Sequence, residues 1–120
     1  MQDTTIKKFE NLNAWIVAKE LAILAYRATK TLPKAEIFGL TSQINRAAVS
    51  VSANIAEGSS RTSAKDFNRF LDIALGSAFE LKTLMEIAYS QKLAIEFYEQ
   101  INEKIVDCVK LIYGLKRSIR

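Results

Sequence analysis

The stretch Gly39-Leu-Thr-Ser-Gln-Ile-Asn-Arg-Ala-Ala-Val-Ser-Val-Ser-Ala-Asn-Ile-Ala-Glu-Gly58 presents three distinct faces when wound as a helix. At helical spacing Ile44, Ala48, Val51 and Ile55 form an apolar stripe, while Gln43, Arg46, Ser50, Asn54 and Glu57 form a polar one. Val49, Ala53 and Ala56 form a third strip of small residues. One face serves a core, and the other two call for further contacts.

The flanking segments read as helices too. The first is predicted from about Asn13 to Leu32, with Asn11 or Asn13 as its cap and Pro33 as its stop. Ala14, Val17, Ala18, Leu21, Leu24, Ala25, Ala28 and Leu32 give its core arc. Trp15, Ile16, Ala22, Ile23 and Tyr26 fall outside that arc, so this helix has more apolar surface than one bundle core can bury. Trp15, Ile16, Ile23 and Tyr26 are therefore the expected oligomer interface.

A turn over Pro33 to Gly39 leads into the quoted segment, which is expected to stop at Glu57 with Gly58 in the left-handed position after the helix. Ser63 and Asp66 match a helix-capping pattern that opens a third helix reaching about Tyr89, with Phe67, Phe70, Leu71, Ala74, Ala78, Leu81 and Met85 as its core stripe. Gly76 and Ser77 in mid-helix weaken it, which predicts the close approach of another backbone, within or between subunits. A fourth helix from about Ala94 to the C-terminus places Tyr98, Ile101, Ile105, Cys108, Ile112, Leu115 and Ile119 at steps of three and four. Short connections make neighbours antiparallel, so the predicted fold is all-α: an up-down-up-down four-helix bundle formed by residues 1–120 as one domain.

Composition agrees. The 120 residues include one proline, four glycines and 49% hydrophobic residues, which suits long uninterrupted helices rather than disorder. No secretion signal opens the chain and no run is apolar enough to span a bilayer, so a cytoplasmic location without a membrane partner is expected. The single cysteine, Cys108, falls on an apolar stripe and is expected to be structural.

Histidine is absent, which removes the commonest general base and metal ligand. Bundle di-metal centres need glutamates with a Glu-x-x-His motif, and helical ribonucleases of the Arg and His type need that histidine as well. Ser50, Ser52 and Ser59 have no base to activate them. No catalytic residue, metal site or cofactor is expected, and the chain is read as a non-enzyme.

Together these residues resemble a known family. Trp15, Leu32-Pro33 with Glu36 and Gly39-Leu40, Gln43-Ile-Asn-Arg46-Ala-Ala-Val-Ser50, Asn54-Ile-Ala-Glu-Gly58, Arg61-Thr-Ser63, Phe67-Asn-Arg-Phe-Leu71 and Gly76-Ser77 with Glu80-Leu81 carry the resemblance. It is to the bacterial four-helix bundle proteins that include those encoded in intervening sequences of large-subunit ribosomal RNA genes. The resemblance implies a small oligomer, a pentameric ring, without an established enzymatic activity. Accessory proteins of diversity-generating retroelements look related, and they form basic pentameric barrels that bind nucleic acid and a reverse transcriptase.

Two surfaces follow as candidates. The polar stripe Gln43, Arg46, Ser50, Asn54 and Glu57 lacks lysine, unlike a solvated face, and reads as a subunit-interface or structural hydrogen-bond network. Glu57 lies where the helix dipole disfavours a carboxylate, so it needs a cation such as Arg61, Arg69 or a neighbouring subunit's arginine. Antiparallel threading also gathers Lys7, Lys8, Arg61, Lys65, Arg69, Lys116, Arg117 and Arg120 at one end, diluted by Asp3, Glu10, Glu57, Asp66 and Asp72. The net charge of +4 permits a polyanionic partner. Arg61, Lys65, Arg69, Lys116, Arg117 and Arg120 are the candidate contacts to RNA or DNA, through phosphates rather than bases. The leading expectation is an oligomeric scaffold that binds nucleic acid at this end. The alternative is an adaptor for an unidentified protein.

Overall fold

The computed structural model describes residues 9–119; Asp3, Lys7, Lys8 and Arg120 lie outside the described residues. Four long helices organise the chain: α1 Asn13–Thr29, α2 Ser42–Ser59, α3 Ala64–Ser90 and α4 Ile95–Ser118. Their directions follow from contacts. Thr29 at the end of α1 bonds Asn45 near the start of α2, Oγ1 to Oδ1, at 3.0 Å. Ser50 of α2 meets Ser77 of α3 at 2.7 Å. Tyr89 at the end of α3 stacks on Tyr98 at the start of α4, with ring centroids 4.0 Å apart. Lys104 of α4 reaches Glu20 of α1 at 3.2 Å, and Ile119 shares a cleft with Leu12. Each helix therefore runs against the next and α4 closes on α1, the expected all-α bundle.

The core is built from the predicted stripes. Leu21, Ile44, Val51, Ile55, Leu71, Leu81, Met85, Ile101, Cys108 and Ile112 are its largest fully buried side chains. Truncating any of the leucines or isoleucines to alanine removes about 2–5 kcal/mol from a core of this kind.

The helix ends depart from expectation in instructive ways. Neither Asn11 nor Asn13 caps α1: Leu12 occupies the cap position in extended conformation, without a side-chain bond. A 3₁₀ turn over Phe9–Asn11 precedes it, and the Leu12 N–H donates to the Phe9 carbonyl at 3.0 Å. α1 ends at Thr29 rather than Leu32. The Thr31 hydroxyl donates to the Ala28 carbonyl at 2.6 Å, and the Leu32 N–H donates to the Thr29 carbonyl at 3.1 Å. These short-range bonds tighten the last turn, as the preference of a pre-proline residue for extended backbone requires. Leu32 still reaches the core. The connection to α2 contains a 3₁₀ turn, Lys34–Glu36, and a wide turn, Ile37–Thr41, kinked at Gly39. Glu36 accepts the Leu40 N–H at 3.3 Å and holds this connection together.

Gly58 is not left-handed; it lies within α2 and no glycine has positive φ. Its role is spatial. A Cβ there would fall 2.7 Å from Phe70 Cβ and 3.0 Å from Phe67 Cδ1, so the missing side chain lets α2 and α3 approach. Ser63 caps α3 as expected, its Oγ accepting the Asp66 N–H at 3.1 Å. At Gly76 nothing lies within 4 Å of an added Cβ, so the expected helix approach within the subunit falls at Ser77, which meets Ser50 of α2, and not at the glycine.

The α3–α4 turn contains a feature the sequence did not signal. Lys92 is left-handed (φ 61°), the Leu93 N–H donates to the Ala88 carbonyl at 2.9 Å, and the Lys92 N–H donates to Tyr89 at 2.9 Å. This is a Schellman C-cap with lysine where glycine is usual. Ala94 is left-handed as well (φ 50°) and introduces α4.

Candidate assembly and nucleic-acid surfaces

The polar stripe of α2 turns toward α3 and the turn that follows it, not wholly to solvent. Asn54 Nδ2 donates to the Ser50 carbonyl at 2.8 Å, while Ser50 Oγ pairs with Ser77, itself 8% exposed. The two hydroxyls satisfy each other where an apolar pair would leave none to satisfy. Arg46 lies 3.7 Å from Glu80. Glu57 finds the cation its position requires in Arg61, at 3.2 Å. Gln43 is exposed at the first turn. Both ion pairs are solvent-accessible, so each contributes at most about 1 kcal/mol.

The structure brings Arg61, Lys65 and Arg69 to the α2–α3 end, and Lys116 and Arg117 to the same end from α4; Arg120 lies outside the described residues. Much of this charge is already answered. Arg61 contacts Glu57 and also approaches Asp66 at 3.9 Å, and Arg69 bonds Asp66 at 3.1 Å. Both guanidinium groups lie 4.6 Å from the Phe70 ring centroid, which packs their planar heads against the α3 surface. Lys116 bonds Asp72 at 2.5 Å and ties the end of α4 to α3. Lys65 is exposed, and Gly114 lies beside the Arg117 guanidinium.

The apolar surplus of α1 is uneven. Ile16, Ile23 and Tyr26 are 38%, 44% and 47% exposed. Trp15 is only half-exposed: it packs on the core, meets the Phe9 ring edge-on at 5.0 Å and lies under Lys19. At the opposite end from the arginines, Phe38 is 97% exposed on the α1–α2 connection beside Ile37. Sequence periodicity could not find Phe38, because it lies between helices and belongs to no stripe.

A second cluster also escaped the sequence reading. Lys82 bonds Glu86 at 2.8 Å and Asn102 at 2.9 Å, and the Tyr98 hydroxyl donates to the same Glu86 carboxylate. The Lys82 and Tyr98 hydrogen bonds hold the Glu86 carboxyl below its usual range. The cluster clamps α3 to α4; the Lys82–Glu86 spacing of four was its only local signal.

Among the described residues, no three His, Cys, Asp or Glu side chains gather as a metal-ligand set, and no helix is long and apolar enough to cross a membrane. Burial pushes the Cys108 thiol up to about 12, far from the thiolate form a nucleophile needs.

The family model for the 23S rRNA-intervening sequence protein matches residues 10–114, nearly the whole bundle. The chain belongs to that family. A crystal structure of a protein of unknown function from the S23 ribosomal protein family of Bacteroides thetaiotaomicron is similar to this chain over 88% of its length and 99% of that protein's. The two share 28% identity, with a TM-score of 0.78. No curated protein matches the chain. All four helices begin within the matched span, which includes Arg61, Lys65 and Arg69 and ends before Lys116 and Arg117.

Proposed function

We propose that this chain is a non-enzymatic, cytoplasmic scaffold that assembles with copies of itself and contacts RNA through phosphates at its arginine-rich end. The observation that carries the assembly is the exposure of Ile16, Ile23 and Tyr26 on one face of α1, since clustered exposed apolar side chains commonly mark an interface. Five copies is the number the family resemblance implies. Contact with RNA is supported by the clustering of Arg61, Lys65, Arg69, Lys116 and Arg117. Their pairing with Glu57, Asp66 and Asp72 favours a weak, sequence-tolerant contact that becomes appreciable when copies add their charge.

Light scattering at micromolar concentration tests the assembly, and a mass of one chain would refute it. Filter binding to RNA and DNA across a salt series tests the contact. Log affinity should fall with log salt at about 0.7–0.9 per phosphate engaged. Replacing Lys116, Arg117 and Arg120 with glutamine should flatten that slope without changing the assembled mass. No retention at low salt, or an unchanged slope, would remove nucleic acid from the proposal.

One observation favours a protein adaptor instead: the wholly exposed Phe38 beside Ile37, an apolar tip facing away from the arginines. Phe38→Ser should leave mass and RNA retention intact, and loss of a bound protein partner in that variant would support the adaptor.

A further inference from the structure

Among the described residues, carboxylates without an ion pair concentrate on α4 and cations without one concentrate on α1, with Lys34, Lys65, Lys92 and Lys110 elsewhere. On the outer face of α1 Arg27, and at its C-cap Lys30, are exposed and make no ion pair among the described residues, while Lys19 makes only its contact with the Trp15 ring. The one carboxylate of α1, Glu20, turns aside to Lys104. On the outer face of α4, Glu96, Glu99, Glu103 and Asp107 are all exposed and the ion pairs of the described residues use other carboxylates; exposed Lys110, one turn beyond Asp107, leaves that face net acidic. Apolar groups lie among both sets: Ile23 and Tyr26 on α1, Val106 on α4, the last 50% exposed.

The levels match as well as the signs. The Glu20–Lys104 pair sets the register of α1 against α4. Counting forward on one helix and back on the other from that pair brings Lys19, Arg27 and Lys30 each within a turn of Asp107, Glu99 and Glu96 respectively. Copies related by rotation about an axis parallel to the bundle preserve those levels. Pairing α1 with another α1 would oppose cations to cations, and pairing α4 with α4 would oppose carboxylates, so the charges select a contact between unlike faces.

We propose that the outer face of α1 in one copy docks against the outer face of α4 in a second copy, with Lys19, Arg27 and Lys30 opposite Asp107, Glu99 and Glu96 and with Ile23 and Tyr26 against Val106. This names the surface of the self-assembly read above and rests on that reading. Because α1 and α4 occupy adjacent corners of the bundle, the two faces point in different directions. Successive copies turn at each contact, and the contact is head-to-tail, which closes a small ring rather than a two-fold dimer.

Charge reversal tests it. Lys19→Glu with Arg27→Glu should reduce the assembly to single chains of 13.5 kDa by light scattering, as should Glu99→Lys with Asp107→Lys. All four substitutions in one chain should restore the wild-type mass, because the faces again carry opposite signs. Circular dichroism checks that each variant keeps its helices. A second readout does not depend on reversal: Arg27→Cys mixed with Glu99→Cys should give an oxidised cross-link between the two different chains, which neither variant gives alone. A wild type that is itself a single chain refutes the assembly and this surface together. An assembled wild type whose mass ignores both reversals, a fourfold variant that stays apart, or an absent cross-link refutes this surface alone.

Discussion

Two glycines in this bundle have opposite reasons for being there. Alanine at either gains roughly 1 kcal/mol of helix propensity. At Gly58 the added methyl meets Phe70 Cβ at 2.7 Å, a contact that neither backbone nor rotamer can relieve without shifting α2 from α3. Gly58→Ala should lower the urea midpoint, with overpacking costing about 1–3 kcal/mol against that gain. At Gly76 the space is open, so Gly76→Ala should raise the midpoint by about 0.5–1 kcal/mol. Equal effects of the two changes would contradict the packing described. Cys108 makes a further residue-scale prediction. Its ordinary value of 9.0 is pushed up to about 12 by burial, so the folded chain holds the thiol proton more tightly than the unfolded chain. The resulting stability is fully present below about pH 9 and is lost as pH rises from there toward about 12. A thiol-reactive dye at pH 8 should label the chain only in denaturant.

At the scale of elements, the α3–α4 turn is open to improvement. Lys92 carries the left-handed conformation that glycine adopts without a Cβ penalty, and its side chain is exposed. Lys92→Gly should stabilise the fold by about 0.5–1 kcal/mol, measured as a higher denaturation midpoint with an unchanged slope. Periodicity made the helices and their core stripes legible, because burial follows the 3.6-residue repeat directly. It could not place the ends of α1, where pre-proline sterics and two threonines override the apolar pattern. It also could not tell whether Gly58 served a turn or a contact, since Phe67 and Phe70 reach it only after α3 folds back. The polar stripe was legible as unusual, and its direction toward Ser77 and Glu80 became apparent only with the tertiary arrangement. Antiparallel topology alone brings Arg61, Lys65, Arg69, Lys116 and Arg117 to one end. The pairing of Glu57 with Arg61 was legible from the helix dipole, whereas that of Lys116 with Asp72 was not, because they are far apart in the chain and a side chain's reach decides whether they meet.

For the whole molecule, charge separates unevenly among the described residues: most cations and carboxylates at one end are paired, α1 carries an excess of unpaired cations, and α4 carries an excess of unpaired carboxylates despite Lys110. Such sorting costs a monomer little in salt solution, where exposed charges beyond about 8–10 Å scarcely interact, and becomes consequential once another surface approaches. One feature of the closed bundle bears on the order in which its gene could be written. Leu12 and Ile119 line a single cleft beside the Ser59–Ser63 connection, so the two ends of the fold are neighbours. Continuity of the backbone at the α2–α3 connection is then replaceable. A circular permutant opened at Thr62, with the original ends joined by a flexible linker, should recover the same helical content and melt within about 5 °C of the parent, a difference of roughly 1 kcal/mol. If it collapses instead, the α2–α3 connection is needed to bring those helices together during folding. If it survives, synthesis can begin with α3, and the bundle depends on which helices touch rather than on which is made first.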